Sequence, residues 1–301
     1  MTGTDPLSGR CARTARARGD DVIATAPPAR RFVLLEVPGP WQPDAMVAAG
    51  LRPEVTAALR SAAAVVGARL LLIRRPGRHP AEPGRTRRWG IAGPDGGLLW
   101  GEWRTDDELR DLDVAAAVPA FDPASQRPVA LVCTHGRHDL CCAVEGRPVA
   151  AAAHADPAVD AWECSHLGGD RFAANLLFLP SGLLFGGLGP AETGPVLAAA
   201  RDGRVLLEHF RGRCGDPVPA QAVQWLLMRA LAEDRPDRVV VEQVDQLPGA
   251  GLTALARHGD HRYRLRLAVG RTDPARLTCR APGEARARTY RLEAPPVLLR
   301  A

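Results

Sequence analysis

Two short segments, CTHGRHDLCC (133–142) and WECSHLGGDRFAAN (162–175), carry the side chains best suited to chemistry in this chain. Cys133, Cys142, His166 and Asp170 stand at the spacing of an iron–sulfur ligand set, with two ligands from each segment. Thiolate and imidazole bind iron, but only if strand ends and tight loops hold them rigidly. The fourth position has a second candidate in Cys164, which is a softer donor than a carboxylate. It lies two residues before His166, so strand alternation puts both on one face.

The elements needed to position these residues are legible around them. The run PVALVC (128–133) reads as a strand delivering Cys133, and a polar loop, THGRHDL, leads to Cys141 and Cys142 at the start of an Ala-rich helix. A cysteine at a helix N-terminus is held as thiolate, the form that binds metal. A second strand, 160–163, delivers Cys164, Ser165 and His166, followed by the turn Leu167-Gly168-Gly169-Asp170. The two glycines suit a positive φ or a close approach to a ligand. Neighbours on a helix point about 100° apart, so only one of Cys141 and Cys142 faces such a site and the other packs. Asp139 reads as a helix cap, and His135 and His138 as organisers of the loop or as residues standing just behind the ligands rather than as ligands. Arg171 is either a surface charge or a counter-charge to the site.

Further out, strand FVLLE (32–36), a helix at 54–66, strands at 69–74, 88–92 and 98–103 and a short helix near 106–111 give the order βαβ-ββα. The order returns as strand 128–133, helix 141–154, strand 159–164, hairpin strands 174–179 and 183–187, and helix 191–201. The words GLLWG (97–101) and GLLFG (182–186) recur at matching places, which argues for an internal duplication. The first copy has no Cys or His at the positions that carry them in the second. The expected fold class is therefore α/β, with tandem thioredoxin-like domains, the first degenerate and the second cluster-bearing, and a small α+β C-terminal appendage. The corresponding boundaries are a disordered leader over 1–30, the degenerate copy over 31–120, the cluster-bearing copy over 121–215 and the appendage over 216–301. In the last region a helix is predicted near 219–232 and strands near 238–243, 262–269 and 288–294; no chemistry is assigned to it.

Composition limits the alternatives. A chain of 301 residues, 46% hydrophobic, can bury a core in two or three units. Seven cysteines at irregular spacings do not make a secreted disulfide framework, so the reducing cytoplasm is expected. No apolar run approaches the roughly 18–20 residues of a membrane span, and the N-terminal stretch lacks a signal-peptide core. The net charge of +5 is spread as Arg among Asp and Glu, with no Lys in the chain, which argues against a nucleic-acid surface. A docking face for an acidic redox partner is a milder use of the same charge.

Three motifs, Cys-x-His-x₃-Asp-x-Cys-Cys (133–142), Ser-His-x-Gly-Gly-x-Arg-Phe-Ala-x-Asn (165–175) and Pro-Ser-Gly-x-x-x-Gly (180–186), resemble the sucrase/ferredoxin-like family. Weaker likeness, at Pro38-Gly39-Pro40-Trp41 and Leu72-Ile73-Arg74-Arg75, extends it from about residue 30. The resemblance implies a thioredoxin-like ferredoxin whose [2Fe–2S] cluster is held by two Cys and by the two His of a His-x₃-His motif. Cys133 and Cys142 match the Cys pair, which leaves Cys141 as the packed neighbour, and His166 matches the first His. Asp170 stands where the second His would be, so the fourth ligand is left between Asp170 and Cys164. An anionic fourth ligand disfavours reduction and predicts a lower potential than bis-His ligation gives. The expected function is a soluble one-electron carrier or redox sensor with a redox partner protein, no catalytic residues, and no nucleic-acid or membrane partner. The alternatives are a thiol–disulfide oxidoreductase, which would want a Cys-x-x-Cys that the chain lacks, and a structural zinc protein.

Overall fold

The computed structural model describes residues 9–48, 50–77, 84–93, 96–249 and 251–299. Nine strands form one mixed sheet. Its first part comprises β1 (Arg31–Glu36), α2 (Pro53–Val65), β2 (Ala68–Arg74), β3 (Arg87–Ala92), β4 (Leu98–Trp103) and α3 (Asp106–Arg110). The second comprises β5 (Val129–Cys133), α4 (Leu140–His154), β6 (Asp160–Cys164), β7 (Leu176–Leu179), β8 (Leu183–Phe185) and α5 (Pro190–Arg201). An additional strand, β9 (Phe210–Arg213), extends the sheet beyond β8.

The spatial order β4-β3-β1-β2 returns as β8-β7-β5-β6. In each set the first two strands are parallel, the third is antiparallel to the first, and the fourth is antiparallel to the third. The recurring words GLLWG and GLLFG fall on the equivalent strands β4 and β8. The two sets join edge to edge through β2 and β6, where Ile73 faces Cys164 and Arg74 faces Glu163. Ser165 continues the seam: its hydroxyl accepts the Leu72 N–H at 3.0 Å, and its own N–H donates to the Leu72 carbonyl at 2.8 Å. The join therefore runs beside the end of β6, where His166 begins its loop.

The central strands read as they do because both faces are covered. Every residue of β5 (VALVC) and of β6 (DAWEC) is buried, the pattern of strands inside a two-sided layer. Helix α4 lies close on β5 because Gly146 has no side chain; a Cβ there would run into the Cys133 carbonyl. No described helix is long and apolar enough to cross a membrane.

Two regions differ from expectation. Residues 11–30 are ordered where a disordered leader is expected, while residues 1–8 of that leader lie outside the described residues. Cys11–Arg18 form a helix, α1, that buries Cys11, Ala12 and Ala15. The strap after it is pinned by Thr25 N–H to the Arg211 carbonyl (3.0 Å) and Ala29 N–H to the Cys214 carbonyl (2.7 Å). Its apolar side is made of small residues among arginines, which hides the amphipathic pattern from a reading by hydrophobicity.

The C-terminal region is a five-stranded antiparallel sheet rather than three strands: β10 (Val239–Leu247), β11 (Gly251–His258), β12 (His261–Arg271), β13 (Arg288–Leu292) and β14 (Val297–Leu299). Nor does it hang loosely. Helix α6 (Val218–Leu231) places Ala222, Val223, Leu227 and Met228 in one continuous core with Val149 and Phe185 on one side and Leu252, Ala256 and Leu267 on the other.

Candidate metal centre

Cys133 ends β5 and Cys142 stands in the first turn of α4, so a strand end and a helix start present the two sulfurs. Asp139 caps the helix, accepting the Cys141 N–H at 2.9 Å. The peptide N–H of Cys133 is held by the Asn175 carbonyl at 3.0 Å, which fixes the strand end against β7. Thr134 donates to Glu163 at 2.9 Å, and Glu163 is paired with Arg74 at 2.7 Å, so the loop leaving Cys133 is tied to β6 and β2.

The second ligand loop is held by buried arginine. Gly168 and Gly169 adopt φ of +89° and +76°, a region that side-chain-bearing residues avoid. The fully buried Arg211 donates to the Gly168 carbonyl (2.8 Å), to Asn175 Oδ1 (2.7 Å) and to the Thr25 hydroxyl and carbonyl (3.0 and 2.5 Å). Asn175 in turn donates to the Gly169 carbonyl at 3.0 Å. A Cβ on Gly169 would occupy the space of the Arg211 guanidinium. Burial brings the Arg211 pKa down to about 9, and these four acceptors are what keep its charge in place. From the other side Arg69 donates to the carbonyls of His166 (2.5 Å) and Leu167 (2.8 Å).

These supports bring one ligand atom each of Cys133, Cys142 and His166 within 4.8 Å of one another, and do the same for His138, His166 and Asp170. His166 belongs to both groups. Asp170 Oδ1 lies 3.1 Å from His166 Nδ1 and 3.4 Å from Cys142 Sγ. The His166 Nδ1 is buried without a hydrogen-bond partner, since the nearby carboxylate is out of line with it. An unpartnered ring nitrogen beside two thiols and a carboxylate is the arrangement a metal completes. The neighbouring Cys142 and then His166 hold Cys133 well below the ordinary thiol range, while Cys142 is pushed up by Cys133 and by burial. A metal bound there would displace the thiol protons, because ligation requires both sulfurs as thiolate.

The other sequence candidates fall in different places. Cys164 faces Cys133 across the parallel β5–β6 register but joins neither ligand group, and burial raises its thiol pKa. His135 donates its Nε2–H to the Gln42 carbonyl (2.6 Å) and meets Trp41 edge-on; burial lowers its pKa. Arg171 is neither an exposed charge nor turned to this centre: it pairs with Asp20 at 3.2 Å and lies over the Phe172 ring. His138, read from sequence as organising the loop or standing just behind the ligands, stacks on His166 with ring centroids 3.7 Å apart and planes at 22°. Its signal was its place in the loop one turn before Cys142. Cys141 turns away from Cys142 toward Cys11 and Cys279, so it has partners where simple packing is expected.

The fold and the centre define a mixed α/β protein with buried Cys, His and Asp groups able to hold a metal. The chain belongs to the sucrase/ferredoxin-like family, whose family model matches residues 22–212. Neither the curated proteins nor the solved structures contain a match to it.

Proposed function

We propose that the protein is a one-electron carrier that holds a [2Fe–2S] cluster through Cys133, Cys142, His166 and Asp170. The observation that supports it is the convergence of two thiols and an imidazole, from loops more than twenty residues apart in the chain, within 4.8 Å. Asp170 is favoured as the fourth ligand because its Oδ1 is in reach of both Cys142 and His166. His138 is the alternative, and Cys164, beside Cys133 in the β5–β6 register, joins neither ligand group. Bound there, such a cluster supplies reversible one-electron chemistry.

The chain's own contribution is to hold the ligands and to open one side. Cys133 and Cys142 are fully buried, whereas the His166 side chain is 22% exposed. Electrons therefore enter and leave on the side of the stacked His166 and His138 rings. Beside that edge Trp41, Arg74, His135, Arg137 and Arg147 line a shallow cleft, a basic rim suited to an acidic redox partner. The strand order β8-β7-β5-β6 with the α4 crossover is that of a thioredoxin-like unit. We read β4-β3-β1-β2 as its duplicated, cluster-free counterpart, since residues 31–120 contain no Cys.

Anaerobic purification followed by iron and acid-labile sulfide analysis tests this. Two irons and two sulfides per chain are expected, with an electron paramagnetic resonance signal on reduction that Cys133→Ser abolishes. Colourless protein carrying zinc that Cys133→Ser removes would replace the electron carrier with a structural zinc protein.

A further inference from the structure

Behind the first centre, three more thiols meet. Cys11 opens α1, Cys141 stands in the first turn of α4, and Cys279 lies in the loop between β12 and β13. Their sulfurs form a near-equilateral triangle: Cys11 to Cys141 is 3.7 Å, Cys141 to Cys279 is 3.5 Å and Cys11 to Cys279 is 3.5 Å. The Asp139 carboxylate faces the triangle, with Oδ1 and Oδ2 at 3.9 and 3.7 Å from Cys11 Sγ. All four ligand atoms lie within 4.8 Å of one another.

We propose that Cys11, Cys141, Cys279 and Asp139 form a closed structural zinc site. Sulfurs bound to one zinc at ~2.3 Å in a tetrahedron stand ~3.8 Å apart, close to all three sides of this triangle. A disulfide would draw one pair to ~2.05 Å and leave the third thiol aside; here the three distances are alike.

The surroundings suit a thiolate-rich ion. Two helix N-termini, those of α1 and α4, point at it and favour negative charge. The Cys11 N–H approaches Cys279 Sγ at 3.5 Å, and the Ala12 N–H donates to Cys141. Asp139 is oriented by the N–H groups of Cys141 (2.9 Å) and Cys279 (2.7 Å) and by the Thr278 hydroxyl (3.0 Å). Three of the four lone-pair positions of a carboxylate are thereby used, which leaves one for the metal. The site would fasten the N-terminal helix and the β12–β13 loop to α4 directly behind Cys142.

Zinc analysis and zinc-edge X-ray absorption on the full chain, purified without added metal, test the proposal. One zinc per chain with three sulfur neighbours is expected. Cys279→Ser, at a half-buried position, and Cys11→Ser should each lose the zinc while iron and colour stay. Cys133→Ser should lose the iron and keep the zinc, so the two sites fail independently. Absence of zinc from the wild type, iron in its place in Cys133→Ser, loss of zinc in Cys133→Ser but not in Cys279→Ser, or a disulfide that removes two of the seven thiols from titration in denaturant would each overturn it.

Discussion

Cys141 and Cys142 are adjacent in the chain and serve two clusters of opposite character. Cys142 joins Cys133, His166 and Asp170 in front, with His138 stacked on the outer edge. Cys141 joins Cys11, Cys279 and Asp139 behind. The helical turn between neighbouring residues is enough to separate them, and the cap Asp139 belongs to the rear group. The front cluster mixes imidazole with thiol and has an edge in contact with solvent, which suits electron passage. The rear cluster is sulfur-rich and roofed by segments from both ends of the chain, which suits fastening. One helix start thus contributes a thiol to each of the two clusters.

The sharpest way to break that division is to remove the rear metal alone. A zinc chelator that leaves the iron in place should lower the melting temperature by about 5–10 °C, the effect of losing a cross-link worth about 2–4 kcal/mol over long loops. Limited proteolysis should then cut first near α1 and in 272–287. An unchanged melting curve after proven loss of zinc would mean that the rear cluster braces nothing.

The front cluster is tested by its charge. In the proposed cluster, Asp170→His removes one negative ligand, so the oxidised centre would be less anionic and easier to reduce. Its midpoint potential should rise by on the order of 100 mV, in the direction in which His-for-Cys exchange raises iron–sulfur potentials. His138→Ala should leave the iron content intact if Asp170 is the fourth ligand. A potential unmoved by Asp170→His, together with iron lost in His138→Ala, would transfer that role to His138. Asp139→Asn, at the rear, should shift the potential far less than Asp170→His.

The two clusters also differ in how visible they are in the sequence. Cys133, Cys142, His166 and Asp170 lie within 38 residues of one another, where local pattern shows the strand–loop–helix and strand–turn that carry them and the family resemblance implies which of their residues are ligands. The rear ligands come from positions 11, 141 and 279, and no local pattern links them. Two of these positions also fall outside the matched residues 22–212. The same reasoning explains the fold. The βαβ-ββα order is legible because each strand is a short apolar run between clear turns. Helix α1 is not, because alanine and cysteine buried among arginines carry little hydrophobic contrast. Strand β11 (GLTALARH) is missed because two of its three alternating buried positions, Ala254 and Ala256, are small and only Leu252 is strongly apolar.

Cys164 gives the smallest effect and the finest test of the front cluster's membership. By softness it is a better iron ligand than Asp170, and alternation from His166 places it on the expected face. It ends β6, fully buried in a cluster that holds Cys133 and Cys142 as well as Leu34, Ile73 and Trp162, yet it joins neither ligand group. If its sulfur only fills space there, Cys164→Ala removes a small buried group and should cost about 1 kcal/mol through the cavity left behind. Iron content, sulfide content and the resonance spectrum should all stay as in the wild type. If the spectrum changes or iron is lost while the protein stays folded, the ligand set must be redrawn with Cys164 inside it, and Asp170 would become a hydrogen-bond acceptor for the centre.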